Sequence, residues 1–203
     1  MKVSIRKITQ DPLMTIIEAA RRCYSAEELP SFDPNKSKED FIRFLKDRKH
    51  LTPFEFVDVI FSINDISRAC SLQLVRHRIA SYAQQSQRYC KGYPGYIIPE
   101  AVWKKLESGN IRVQNALIKF FDAFNDLTAT LTDEKISQED QRYFWVEGTK
   151  TQIYVKFNLR SLFNFFELRL DPHAQWEIRQ MAGLMYEKVS NIIPEVFPKL
   201  SLS

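Results

Sequence analysis

Val3 and Ile5 alternate with polar neighbours over residues 2–8, a period of two that predicts a short strand. Asp11-Pro12 then opens a helix, the aspartate as cap and the proline in the first turn. Its apolar positions Met14, Ile16, Ile17, Ala20 and Cys23 recur at helical spacing. Residues 26–36, with Pro30, Pro34 and several acids, read as a loop. Ser37 and Asp40 cap a helix that carries Phe41, Phe44 and Leu45 to about Arg48.

Lys49 to Pro53 breaks that helix, and the Phe-, Val- and Ile-rich run from Phe54 to Ile63 predicts a second strand. Asp65 caps a helix from Ile66 to about Arg76, with Ala69, Leu72 and Val75 on its apolar side. Cys90 to Pro99 reads as a turn-rich loop and Glu100 to Glu107 as a short helix. Ile111 to about Leu131 reads as a long amphipathic helix, and Gln138 to Trp145 as helical. Lys150 to Phe157 alternates Thr151, Ile153, Val155 and Phe157. It suits a strand, and also the extension of a helix; periodicity alone does not decide. Asn158 to Arg169 predicts a helix ended by Asp171-Pro172, and Pro172 opens the last helix, to about Ile193. No repeat or linker interrupts residues 1–203. The expectation is one α+β domain, an antiparallel-containing sheet packed with long helices.

Composition changes this picture little. A net charge of +4 is too mild to force a nucleic-acid reading. Fifteen Phe supply flat faces for a core or for stacking, and five Gly argue against a glycine-built phosphate loop. Cys23, Cys70 and Cys90 are widely spaced with no CxxC pair, and with three His they suggest no metal cluster. All three cysteines are expected to fill core space. The first residues lack the apolar run of a signal peptide, and no stretch is apolar enough to span a membrane. A reduced, cytoplasmic, soluble protein is the expectation.

Candidate chemistry concentrates in Arg76 to Tyr89, where Arg76, His77, Arg78, Gln84, Gln85, Ser86, Gln87 and Arg88 fall within fourteen residues that hold no glycine or proline. Guanidinium forks match phosphate oxygens. On the preceding helix Gln73 shares a face with Arg76 and His77. The stretch reads equally as a solvated basic surface or as an RNA contact, with Tyr82 and Tyr89 for stacking. Asn158 to Arg169 is the second constellation. Arg160 and Asn164 lie about 40° apart around a helix, with Arg169 about 180° from Arg160. A bland reading, surface salt bridges on a helix, stands beside a functional one. Ser86 lacks a nucleophile elbow, so it is not read as an attacking group. His50 beside Thr52-Pro53 suits a ligand contact or a cap, and His173 a structural partner near a helix start.

Together the two constellations resemble the flavin-dependent thymidylate synthases. That family's motif, Arg-His-Arg, seven residues, then Ser-x-Arg-Tyr, stands here as Arg76-His77-Arg78 and Ser86-Gln87-Arg88-Tyr89. Asn158 to Arg169, followed by His173-Ala-Gln-Trp-Glu177, is similar to its C-terminal motif, and His50-Leu-Thr52-Pro-Phe-Glu55 to an upstream element. The resemblance runs over nearly the whole chain.

It implies that FAD is held by Arg76, His77, Arg78, His50, Thr52, Asn158, Arg160, Asn164 and Gln84. It implies that dUMP is held by Gln73, Arg76, Gln84, Gln85, Ser86, Gln87, Arg88, Arg142 and Arg169. It further implies that Arg169 is the catalytic residue, favouring ionisation of the uracil ring. The implied reaction is reductive methylation of dUMP to dTMP, with methylenetetrahydrofolate as carbon donor and NADPH-reduced FAD as hydride source, in a homotetramer with shared sites and with no nucleic-acid, membrane or metal partner. A non-redox nucleotide- or RNA-binding homologue is the alternative. The sequence departs from the family at Ala83, at Gln84 (Glu in some members, Gln in others), at Leu51 and Phe56, and around Arg142, whose neighbours do not match.

Overall fold

The computed structural model describes residues 1–23, 25–26, 32–33, 35–90 and 95–199. Four strands, β1 (Lys2–Ile8), β2 (Asp58–Ser67), β3 (Ser81–Gln84) and β4 (Lys150–Asn158), form one sheet in the order β1-β2-β4-β3, antiparallel throughout. Around it run α1 (Pro12–Arg22), α2 (Lys38–Asp47), α3 (Arg68–Leu74), α4 (Glu100–Glu107), α5 (Ile111–Asp133), α6 (Gln138–Gln141), α7 (Leu159–Arg169) and α8 (Trp176–Ile192). The α+β expectation holds. Parts of the two expected loops, residues 27–31, 34 and 91–94, lie outside the described residues.

The alternation over Lys150–Phe157 is resolved as a strand: Thr151, Ile153, Val155 and Phe157 are buried while the residues between them are exposed. Val59, Phe61, Ile63 and Ile66 of β2 join them in one core. Ile16 and Ile17 of α1, Ile42 and Leu45 of α2, Leu162 and Phe165 of α7, and Met181, Met185 and Val189 of α8 complete it. Every one of these is almost fully removed from water, the dominant favourable term in folding.

Several expectations are corrected. The second strand does not begin at Phe54. Thr52–Phe56 forms a 3-10 turn with Pro53 in its first residues, and Phe54 packs edge-on against Phe163, ring centres 5.4 Å apart. Nor does Asp65 cap a helix. It takes a left-handed conformation (φ 57°) where the β2–β4 ladder shifts register between Ile63 and Ile66, and the strand continues to Ser67. Ser67 caps α3, its hydroxyl accepting from Cys70 N at 2.9 Å, and α3 ends at Leu74 rather than Arg76. The last helix starts at Trp176, capped by Gln175, because Pro172 sits in a preceding turn. Helix α6 ends at Gln141 and passes into a 3-10 turn over Arg142–Phe144. Of the cysteines only Cys70 is buried; Cys23 and Cys90 are exposed.

Helix α5 stands apart from the core. Phe124 is its buried residue, while Ile111, Ile118, Phe120 and Leu127 remain exposed. Tyr96 attaches it to the sheet: it bridges Thr149 on its backbone, and its ring lies 5.3 Å from Phe121 and 6.3 Å from Phe120. A Cβ on Gly148 would come within 2.3–2.7 Å of that ring, so Tyr96 occupies the space a side chain there would need.

Candidate active site

Helix α7 is the ruler of the site. Asn158 caps it, its side-chain oxygen accepting from Ser161 N at 2.8 Å, because an Asn with extended backbone reaches the free amides of a first turn. One end of α7 then lies against the Thr52–Phe56 turn and the other beside the segment after α3.

At the first end Arg160 donates to Glu55 and lines a surface cleft of about 340 Å³ with Lys49, His50, Thr52 and Pro53. His50 and Thr52 are therefore brought together with Arg160, far along the chain. The cleft's described lining includes Lys49, a histidine, a hydroxyl and Arg160, the last paired with the Glu55 carboxylate. That donor set fits the phosphates and hydroxyls of a dinucleotide such as FAD. Asn164 is exposed one turn on from Arg160, and Asn158's side-chain oxygen is already engaged as the cap.

At the other end Arg169 Nε donates to His77 Nε2 over 2.8 Å. A guanidinium has no acceptor, so Nε2 is the unprotonated ring nitrogen and the proton resides on Nδ1. The imidazole is 7% exposed and lies edge-on to Phe165, ring centres 5.0 Å apart. Burial, and then the charge of Arg169, hold its pKa below the ordinary imidazole value. Arg76 and Arg78, which flank it, are exposed, and Gln73 is half-buried. Tyr82 lies behind: its hydroxyl donates toward the carbonyls of His77 (2.7 Å) and Leu74 (2.8 Å), and burial pushes its pKa up to about 12.

Strand β3, not anticipated from so short and polar a run, carries Gln84. Its amide nitrogen donates to Ser71 Oγ (2.9 Å) and Thr151 Oγ1 (3.1 Å), which fixes the amide's orientation and leaves its carbonyl oxygen outside this pair of bonds. Gln85 prolongs the ladder by donating its N–H to Gln152 O, and Gln85, Ser86 and Gln87 are half-buried. The hydroxyl of Ser86 accepts from Arg88 N at 3.2 Å, a turn contact rather than activation by a base.

Arg88 donates to Glu139 at 3.0 Å, and Arg142 lies on the same carboxylate at 4.0 Å with its Nε donating to Glu139 O. Arg142, matched to the nucleotide by the resemblance although its neighbours differ, does converge with Arg88. Sequence reasoning missed Glu139, the acid between them, and named Glu177 only as the end of a matched segment, with no role. That carboxylate is 2% exposed and accepts from both the amide and hydroxyl of Ser67. Burial, then Glu177, pushes the Cys70 thiol up, against the opposing charge of Arg169.

Residues 5–195 match the family model described as thymidylate synthase complementing protein. A flavin-dependent thymidylate synthase of Clostridium tetani is 34% identical over 213 residues, covering 97% of this chain and 85% of that protein. One of Geobacter sulfurreducens is 35% identical over 204 residues, with the same coverage. One of Pyrococcus horikoshii is 38% identical over 199 residues, covering 94% of this chain and 79% of that protein. With matched motifs meeting at both ends of α7 and relatives aligned over most of its length, the chain belongs to the thymidylate synthase complementing protein family.

Proposed function

We propose that this chain is a flavin-dependent thymidylate synthase, methylating dUMP to dTMP with methylenetetrahydrofolate as carbon donor and NADPH as the source of reducing equivalents. The observation that carries the reading is the Arg169–His77 bond, which joins the Arg-His-Arg motif to the end of the C-terminal motif. The relatives' names support the same activity.

FAD, when bound, supplies the hydride that completes the methyl group. His50, Thr52 and Arg160 would hold its polar portion in the cleft they line, and Arg76, Arg78, Asn158 and Asn164 are the further residues matched to it. Arg169 keeps its terminal amino groups for the uracil ring while Nε is tied to His77. A fixed guanidinium there stabilises negative charge on the ring without giving up a proton, which makes the ring carbon nucleophilic without an attacking cysteine. Gln84, Gln85, Ser86, Gln87, Gln73 and Arg76 orient the nucleotide, and Arg88 and Arg142 take its phosphate. The uncovered apolar face of α5 supports assembly with further copies, in a homotetramer whose sites are shared.

The test is the absorbance spectrum of the purified protein. A flavin band that NADPH bleaches, and whose recovery dUMP accelerates in the presence of methylenetetrahydrofolate, is expected. Colourless protein that takes up no FAD on reconstitution, with steeply salt-dependent RNA binding, would overturn the reading in favour of the non-redox alternative.

A further inference from the structure

Neither Ser71 nor Thr151 is among the residues matched to the flavin or the nucleotide, yet the two meet on one side chain that is. Gln84 donates its amide nitrogen to Ser71 Oγ at 2.9 Å and to Thr151 Oγ1 at 3.1 Å. The fold brings them there from three elements. In the β3–β4 ladder Gln84 stands opposite Ile153, so it shares a face of the sheet with Thr151, two residues along, and α3 lays Ser71 against that face. Ser71 and Thr151 are both buried, whereas Gln84 is half-buried. Ser71 decides the direction of the bonds. Its one proton goes to Arg68 O at 2.9 Å, so it offers Gln84 only a lone pair. An amide turned the other way would set its oxygen against that lone pair, where water does not reach to relieve it. The amide nitrogen is thus engaged inside the protein, and the carbonyl oxygen is turned away from both hydroxyls.

A glutamine free to rotate presents either a donor or an acceptor; this one presents an acceptor. We propose that Ser71 and Thr151 are positioning residues that make Gln84 a fixed, neutral acceptor for a donor group of the bound nucleotide. The inference rests on the function proposed above, which sets Gln84 beside dUMP. Apart from its phosphate, that nucleotide carries two groups such an oxygen can accept from, the sugar hydroxyl and the ring N–H. Neutrality matters as much as direction. An amide oxygen adds no net charge near a ring that turns anionic beside Arg169, as a carboxylate at the same position would.

The test uses Thr151→Val and Ser71→Ala in the FAD-loaded enzyme, with dUMP binding measured by calorimetry beside steady-state rates. Valine keeps the shape of threonine and suits a strand, and alanine suits a helix. Each variant is expected to bind dUMP about three- to tenfold more weakly, with flavin content unchanged and kcat within about twofold of wild type. Thr151→Ser, which keeps the hydroxyl, is expected to bind within about twofold of wild type. In a Gln84→Ala background neither substitution is expected to weaken dUMP further, because both act through that amide. A dideoxy analogue of dUMP lacks the sugar hydroxyl, and ring-N-methylated dUMP lacks the ring N–H. The variants are expected to match wild type on one of the two, and that one identifies the donor. Unchanged dUMP binding, equal losses on both analogues, additivity with Gln84→Ala, no recovery in Thr151→Ser, or loss of flavin would each overturn the proposal. Those failures, against a wild type that turns over, leave the proposed activity standing. A wild type without dUMP-dependent flavin turnover removes both.

Discussion

Arg169 Nε and His77 Nε2 are 2.8 Å apart, although ninety-two residues separate them in the chain. His77 is thereby a rest for the guanidinium. His77→Ala is expected to lower kcat and kcat/KM together, by about 10- to 100-fold, because a loosened Arg169 is misplaced chiefly where charge develops. His77→Gln, which restores an acceptor, is expected to recover part of the loss. If His77→Ala instead sheds FAD as readily as Arg78→Ala does, its main contact is with the flavin.

Arg169→Ala is expected to keep FAD and lose turnover, whereas Arg78→Ala weakens FAD itself. Flavin content per chain, measured beside steady-state rates, separates the two. Equal flavin loss in both variants would contradict this division of labour.

The same histidine gives a pH dependence. Its pKa in the fold lies below the ordinary value of 6.5. Above that value both folded and unfolded chains carry neutral imidazole. As pH falls through it, the unfolded chain takes up a proton that the fold resists, so stability declines until the folded His77 also protonates. Urea midpoints between about pH 7.5 and about pH 5 should therefore fall less steeply in His77→Gln than in wild type.

Glu139 holds Arg88 and Arg142 where the phosphate of dUMP is proposed to lie. Glu139→Gln removes a competing anion and is expected to tighten dUMP about two- to fivefold at low salt, the gain fading as ionic strength rises. Arg88→Ala is expected to weaken dUMP about tenfold at unchanged flavin content. Titration of the flavin spectrum with dUMP reads both, and weaker binding in Glu139→Gln would show that the acid positions the arginines rather than competing.

Ser67 serves two partners, the first turn of α3 and the buried Glu177. Ser67→Ala removes a cap and leaves a buried carboxylate short of a donor. A loss of about 1–3 kcal/mol in urea unfolding is expected. A change within about 0.5 kcal/mol would mean that the carboxylate finds another donor.

How legible was all this? Elements whose period agreed with their burial were readable: β1, α1, α2, α4, α5 and α7 begin within a residue or two of where caps and apolar spacing put them. Failures fell where a local signal had two physical outcomes. Asp65 serves a helix cap or a left-handed bulge, and the ladder between β2 and β4 decided for the bulge. Phe54 to Val57 looks like strand by composition, yet Pro53 and the pocket against Phe163 fold its first part into a turn. The site was legible as motifs and not as a place. Nothing local in Arg76-His77-Arg78 says that its histidine meets Arg169, or that Glu139 stands between Arg88 and Arg142.

Gly148 is small, and its consequence is mechanical. Tyr96 rests where a Cβ would stand, and that ring is the clasp by which the sheet grips α5. The chain leaving α5 leads within a few residues to Glu139 and Arg142. A side chain at 148 would therefore have to displace that ring, loosening the clasp on the 23-residue α5 and, through the chain that follows it, the placing of Glu139 and Arg142.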